Sequence, residues 1–316
     1  PSQQYPESLE DFPIARRNQL SPFTRSGPSV GGAIKPELVA YGGNRAVNRH
    51  GYPVTRGLGE LSLHRDSAAG RLFAEDIGTS FAAPHVTHLA ARLLAEIPEA
   101  SNNLLRAMLV AHARVPDEAR TLIDDEENSR RLCGYGQIQP AALVQSLDDS
   151  VTLITEDQIP NKCHHFFELP IPENFWEGGR KRTREWTVAL AHTPAVRTTR
   201  VDYRASRIFF QLVLATNLDE VASTFNKATL RDEFPGLREY ASKRDLTSTS
   251  RGKGTVQAST WTIRQPGKNL KNQRIFIVVT RNDPPWGELL SSEKEPYALV
   301  VTMRERSDQT STLYSR

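Results

Sequence analysis

Apolar residues recur at helical spacing in two adjacent stretches of the first half of the chain. The first stretch predicts a helix from about Ser80 to Glu96, with an apolar face formed by Val86, Leu89, Ala90, Leu93 and Ile97. The second predicts a helix from about Asn102 to Ala113, with Ser101 or Asn102 as its N-cap. A short apolar run at Leu38–Tyr41, bounded by Pro36 and Gly42, predicts a buried strand.

The stretches between these elements are polar and predict loops. Residues 1–20 are expected to be a connecting segment, and residues 44–70 a loop rich in Gly, Arg, His and Ser. Residues 116–131 contain the acidic run Asp124–Glu127, which could bind a metal, but consecutive carboxylates point in different directions and favour a solvated loop. Pro140 can start a last helix that runs through Gln145.

The pattern changes to short strand-like runs beyond Asp148–Ser150. Six strands are predicted from runs rich in Val, Ile, Phe, Trp and Thr: His165–Leu169, Trp186–Ala191, Ile208–Ala215, Thr260–Ile263, Arg274–Thr280 and Tyr297–Met303. Helices are expected at Asp219–Lys227 and Leu237–Ser242, and a mobile loop at 243–259. We therefore expect two domains, 1–150 and 151–316, the second a β-sandwich from about residue 155.

Composition and charge exclude several classes of protein. Hydrophobic residues make up 38% and charged residues 24% of the chain, which is typical of a soluble globular protein. No run of eighteen apolar residues exists, so no membrane partner is expected. Cys133 and Cys163 are the only cysteines and cannot form a disulfide framework. With no visible signal peptide, this usage weakly favours a bacterial cytoplasm.

The stretch Gly78–Val86 carries the clearest chemistry. A glycine-led turn delivers Ser80 to the start of the apolar helix. There its hydroxyl lies close to backbone N–H groups without intrahelical partners and to the positive end of the helix dipole. An acyl-transfer enzyme needs its nucleophile in such a place, because the tetrahedral intermediate carries a negatively charged oxygen.

Four blocks in this order resemble the C-terminal half of a subtilisin-like (S8) serine protease domain. They are Ser21–Pro28, Lys35–Gly42, Gly78–Val86 and Gly134–Ile138. The resemblance implies the C-terminal part of a doubly wound parallel α/β sheet, followed by the β-sandwich. His88 stands where the family usually has glycine, which implies altered helix packing.

By this resemblance Ser80 is the nucleophile, and its own N–H forms half of the oxyanion hole. Thr79 borders that site, Gly78 leads the turn and Pro84 holds its shape. The resemblance implies an endopeptidase that hydrolyses protein or peptide substrates and needs no cofactor or metal for chemistry. Family members often carry structural calcium, whose ligands cannot be assigned to residues here.

The two other triad members are not visible in the sequence. Helix geometry keeps the side chains of His85 and His88 away from Ser80, whereas geometry does not exclude His50 and His64. The family order is Asp, His, Ser, with the oxyanion asparagine also upstream of Ser21 and Asn44 in the wrong place for it. We therefore expect Asp, His and Asn on an N-terminal half that is a separate or nicked chain, and we expect this chain alone to be inactive.

Other functions are weighed against this one. A catalytically dead scaffold that binds a partner is the main alternative, although the retained Gly-Thr-Ser sequence argues against it. The basic stretch Arg180–Arg184 with Trp176 and Trp186 could contact nucleic acid, but interleaved glutamates favour a solvated hairpin tip, so no nucleic acid is expected. The segments Thr187–Pro194 and Tyr203–Leu214 resemble the extra sandwich of large bacterial subtilases, some of which occur beside AAA-type ATPases.

Overall fold

The computed structural model describes residues 8–144, 150–171, 183–227, 245–263 and 273–305. Its elements in chain order are β1 (Asp11–Pro13), β2 (Ala46–Asn48), β3 (Pro53–Val54), β4 (Glu60–Leu63), β5 (Phe73–Asp76), α1 (Thr79–Glu96), α2 (Asn102–Ala111), β6 (Ala113–Arg114), α3 (Asp117–Arg120), α4 (Glu126–Cys133), β7 (Gln137–Ile138), α5 (Pro140–Val144), β8 (Ser150–Pro160), β9 (His164–Glu168), β10 (Arg184–His192), β11 (Ile208–Ala215), α6 (Leu218–Lys227), α7 (Ser248–Arg251), β12 (Val256–Ile263), β13 (Arg274–Arg281) and β14 (Lys294–Glu305). Single 3-10 turns lie at Val30–Gly32 and Ser67–Ala69.

The chain forms two compact units that do not follow one another along the sequence. The first contains described residues within 1–29, 34–98 and 113–140, and the second those within 30–33, 99–112 and 141–316. Helix α2 therefore belongs to the second unit, although it lies in the first half of the sequence. The predicted division into domains 1–150 and 151–316 stays a prediction.

The first unit contains α1 and three small antiparallel sheets. The sheets have the strand orders β1-β2-β3, β4-β5 and β6-β7. The expected doubly wound parallel sheet is not found among the described residues, where the only parallel pairing in this unit is a single bridge between Val39 and Gln137. Strands of a parallel sheet are buried on both faces, and only the run Leu38–Tyr41 here has the apolar sequence for that.

The second unit is built around two antiparallel sheets that share one hydrophobic core. Their strand orders are β12-β10-β14-β8 and β11-β13-β9. Alternate residues of each strand point into the space between the sheets, because successive side chains of a strand lie on opposite faces. Among those that pack there are Trp186, Val188, Leu190, Trp261 and Leu299 from the first sheet and Phe210, Leu212, Ile275, Ile277 and Val279 from the second.

Two helices cover the outer faces of this β-sandwich. Helix α2 packs on β14, β10 and β12, where alternate strand positions carry small residues such as Ala189 and Ala298. The Ser101 hydroxyl caps α2 by accepting a hydrogen bond from the Leu104 N–H at 3.1 Å. On the other sheet, Val221 and Phe225 of α6 pack against buried residues of β11 and β13.

Polar contacts fix one end of α2 on the sandwich. The Arg106 guanidinium donates to the His192 carbonyl at 3.0 Å and to the Thr193 hydroxyl at 2.7 Å. The Asn103 amide donates to the Pro296 carbonyl at 3.1 Å and also accepts from Arg106. These contacts join residues far apart in sequence, so α2 is an integral part of the second unit.

The strongly periodic elements match the sequence prediction, and three expected loops do not. The helix predicted from Ser80 is α1, and β11 has the predicted bounds Ile208–Ala215. Residues 44–70 contain β2, β3 and β4, residues 116–131 contain α3 and the start of α4, and residues 243–259 contain α7 and the start of β12. In the acidic run, Asp125 caps α4 by accepting a hydrogen bond from the Asn128 N–H at 2.7 Å. The helix expected at Leu237–Ser242 lies outside the described residues.

His192 is a fully buried histidine at the end of β10. Neither ring nitrogen has a hydrogen-bond partner within the part of the chain that the structure describes. Burial lowers its pKa from 6.5 to about 3, and the neighbouring guanidinium groups of Arg204, Arg106 and Arg281 act in the same direction. The ring is therefore neutral in the folded protein at physiological pH.

This pKa predicts acid sensitivity of the fold. Between pH 6.5 and 3 the unfolded chain binds a proton at His192 that the folded chain does not, so the free energy of unfolding falls as pH decreases. Urea unfolding should show a loss of about 1.6 kcal/mol from this residue between pH 6.5 and 5. His192→Gln should remove that part of the slope, whereas His88→Gln, at an exposed position, should keep it. Equal slopes in the wild type and His192→Gln would contradict the prediction.

Candidate active site

A glycine turn leads directly into α1. Gly78 has φ 151° and ψ 166°, a combination that side-chain-bearing residues essentially do not adopt. It stands at the N-cap position, and no side chain caps the helix there. The Gly78 carbonyl accepts from the Phe81 N–H at 3.0 Å, and the Gly78 N–H donates to the Gly42 carbonyl at 2.8 Å. The entry of the chain into the helix is thus fixed by backbone hydrogen bonds.

Thr79 and Ser80 form the first turn of α1, and both side chains are exposed. The first N–H groups of a helix have no intrahelical acceptor and carry its partial positive charge. A negatively charged oxygen that forms next to Ser80 would therefore meet a favourable electrostatic environment. An open hydroxyl beside N–H donors is an arrangement suited to attack on a carbonyl group.

Pro84 lies inside α1, beyond its first turn. Proline has no N–H, so the carbonyl of Ser80, four residues earlier, has no i+4 donor in this helix. The helix nevertheless continues to Glu96. Pro84 therefore removes one regular helix hydrogen bond at the predicted nucleophile.

Most of α1 is uncovered within the described structure. Only Leu93 of its eighteen residues is buried. The remaining members of the predicted apolar face, Val86, Leu89, Ala90 and Ile97, are only half-buried. On another side, Ala83, Thr87 and Ala91 are exposed, and Leu94 is 42% exposed. A helix this apolar usually lies in the centre of a domain.

The β4–β5 ribbon stands next to the start of α1. The Nε2 atom of His85 lies 3.5 Å from a carboxylate oxygen of Glu60, which joins the helix to the ribbon. The Tyr41 ring meets His85 edge-on, with ring centroids 6.4 Å apart. Leu61 and Phe73 of the ribbon are largely exposed. His85 is therefore held on the ribbon side of the helix.

The other histidines of the first unit are His50, His64 and His88, and the contacts that the structure shows for them are with residues next to them in sequence. The Arg49 Nε–H donates to His50 at 3.2 Å, and the Asp66 N–H donates to His64 at 2.9 Å. His88 is exposed on α1. Across the described ranges, no hydrogen bond joins a histidine to Ser80. The structure thus brings together Gly78, Thr79, Ser80 and Pro84, and no histidine base with them.

A cavity of about 250 Å³ lies beside α1 in the first unit. Thr79, Ala82, Ala83 and Val86 of the helix line one side of it, and Leu38–Gly42 line another. Cys133 also borders the cavity, but burial raises the pKa of its thiol to about 11. Cys133 is therefore a protonated thiol at neutral pH and a poor nucleophile.

Metal and nucleic-acid sites find little support in the described structure. Among those residues no group of three or more His, Cys, Asp or Glu side chains could hold a metal ion, so calcium ligands stay unassigned.

Of the basic stretch that could contact nucleic acid, residues 180–182 and Trp176 lie outside the described part. Arg184 and Trp186 are buried in the sandwich, so they cannot form an exposed basic tip. No described helix is long and apolar enough to cross a membrane.

Comparison with known proteins gives a family for the stretch that contains the glycine turn and α1. A model of the subtilase family (peptidase S8) matches residues 7–136. The chain is 34% identical over 309 residues to the uncharacterized protein y4bN of Sinorhizobium fredii (strain NBRC 101917 / NGR234), covering 94% of this chain and 69% of that protein. The family match indicates a serine peptidase at this coarse level. The chain belongs to the subtilase family.

The Gly78 conformation predicts a large effect for a single methyl group. Gly78→Ala should lower the free energy of unfolding by about 1–3 kcal/mol, because alanine is strained at this φ and ψ. Thr79→Ala, at the neighbouring exposed position, should change it by less than about 0.5 kcal/mol. Urea unfolding of both variants measures the difference. A Gly78→Ala protein as stable as the wild type would show that the turn relaxes freely.

Proposed function

We propose that this chain carries the nucleophile, Ser80, of a subtilisin-type serine endopeptidase. The catalytic Asp, the His base and the oxyanion Asn would come from a polypeptide segment outside these residues. The observation that carries the proposal is the Gly78 turn, which presents an exposed Ser80 in the first turn of α1. This turn lies inside the stretch that matches the subtilase family.

The proposed reaction is acyl transfer through Ser80. Its Oγ attacks the carbonyl carbon of the scissile peptide bond, while its proton passes to the histidine of the completing segment. The Ser80 N–H and the asparagine amide stabilise the oxygen that becomes negative. Collapse of the intermediate breaks the C–N bond, and the histidine gives its proton to the leaving amine. Water then hydrolyses the acyl-enzyme by the same steps and releases Ser80.

The exposed surface of α1 supports a completing segment. An apolar helix with one buried residue in eighteen leaves much hydrophobic surface in water, which is unfavourable by about 25 cal/mol per Å². The exposed residues Ala83, Thr87 and Ala91 are small and follow one another at i, i+4 and i+8. Such a row allows close approach of another element. Covering this side would also bring new side chains to the neighbourhood of Ser80.

An open strand edge supports the same proposal. The Val39 N–H donates to Gly136 at 3.0 Å, and the Glu37 carbonyl accepts from Tyr135 at 2.8 Å, so one edge of this segment is paired. On the opposite edge, Leu38 and Ala40 find no backbone partner within the described residues. Unpaired strand edges readily accept another strand. A parallel strand added there would extend the single Val39–Gln137 bridge toward a doubly wound sheet.

Covalent labelling tests the nucleophile. The full-length gene product that contains these residues should react with a fluorophosphonate probe at Ser80, and Ser80→Ala should abolish the reaction. Ala69→Ser, at the exposed tip of the β4–β5 ribbon, should still be labelled. A folded full-length protein that does not react at Ser80 would favour the alternative of a catalytically dead scaffold.

Thiol accessibility tests the completing segment. A cysteine placed by Ala91→Cys should react with a maleimide in residues 1–316 alone, because position 91 is exposed. The same cysteine should be protected at least about tenfold in the full-length protein, if that segment covers α1. Ala69→Cys, at the tip of the ribbon, serves as the exposed control in both proteins. Equal reactivity of position 91 in the two proteins would contradict a covering segment.

A further inference from the structure

Gly42 packs directly against the turn that presents Ser80. Its carbonyl accepts the Gly78 N–H at 2.8 Å. A Cβ atom on Gly42 would lie 2.6 Å from the Gly78 carbonyl oxygen and 3.4 Å from the Ala82 Cβ. Cβ atoms in proteins essentially never approach an oxygen to less than 3.0 Å. Residue 42 therefore contacts both peptide groups that flank Gly78, and only glycine fits there.

The segment that carries Gly42 cannot easily move away from the turn. The next residue, Gly43, has φ +86°, and a Cβ there would lie 2.7 Å from the Ile77 side chain. The Ser21 hydroxyl donates to the Gly43 carbonyl. The fully buried Asn44 donates from its backbone to Leu58 at 2.9 Å and from its side chain to Ala15 at 2.6 Å. Steric contact and hydrogen bonds thus hold this backbone in place.

A third glycine supports the turn from the ribbon. A Cβ atom on Gly59 would lie 2.9 Å from the Asp76 nitrogen and 3.0 Å from the Asp76 oxygen. The backbone of residues 76–78 therefore meets Gly42 at one point and Gly59 at another, and Gly43 packs on the Ile77 side chain. At Gly42 and Gly59 the contact is between backbones, with no side chain in between.

We propose that Gly42 is a positioning residue for the reaction at Ser80, an inference that rests on the proposed function. Its carbonyl and its bare Cα fix the peptide groups around Gly78, and these set the direction of the Ser80 N–H and Oγ. A methyl group at residue 42 must displace the Gly78 carbonyl by several tenths of an ångström. Displacements near 1 Å at a reacting centre can cost about 100-fold in rate.

The test compares two alanine variants in the full-length gene product. Gly42→Ala adds a steric contact without an unfavourable φ, whereas Gly51→Ala adds an unfavourable φ of +83° without any contact within 4 Å. Gly42→Ala should slow fluorophosphonate labelling of Ser80 by about 10- to 100-fold. On a peptide ester its kcat should fall similarly, with KM changed by less than about threefold. Gly51→Ala should retain wild-type labelling and kcat.

A milder variant keeps the inference testable if Gly42→Ala does not fold. Ser21→Ala removes the hydrogen bond to the Gly43 carbonyl without adding atoms, and it should slow labelling several-fold in a protein that unfolds at nearly the wild-type temperature. The inference would be overturned if folded Gly42→Ala and Ser21→Ala proteins were labelled at the wild-type rate. It would also be overturned if the unfolded fraction of each variant accounted for its whole loss of labelling rate. A wild-type protein that is not labelled at Ser80 would instead overturn the proposed function.

Discussion

The contact between Gly42 and Gly78 is the constraint on which the presentation of Ser80 depends. Two backbones meet with no side chain between them, and a hydrogen bond of 2.8 Å joins them. The Gly78 conformation brings Ser80 into the first turn of α1 with its hydroxyl in the open. Backbone geometry rather than a side-chain network therefore orients the serine.

The two units bury their apolar surface to different extents. The second unit shields a continuous core between two sheets and covers the outer sheet faces with α2 and α6. The first unit leaves α1 largely exposed and one edge of Leu38–Ala40 unpaired among the described residues. Both features are understandable if a further polypeptide segment packs on the first unit, which is also where the missing catalytic groups are proposed to come from.

Sequence reasoning found the elements that depend on local pattern and missed those that depend on partners. The 3.6-residue period of Val86, Leu89 and Leu93 was sufficient for α1. Strand β8 was missed because its polar outer residues, such as Glu156 and Gln158, weaken the apolar signal. The Gly42 contact could not be predicted, since it joins residues 36 positions apart and involves no side chain. The paired glycines after the apolar run Leu38–Tyr41 were its only visible sign.

The membership of α2 in the second unit has a consequence during synthesis. Asn103 bonds to Pro296, 193 residues later. At about 5–20 residues per second, a ribosome needs roughly 10–40 s to make the intervening chain. During this time β14 has not yet been synthesised, so it cannot cover the face of α2 that packs on it in the folded protein. Transiently exposed apolar surface of this kind favours aggregation, so the long separation of α2 from β14 makes the nascent chain more prone to it.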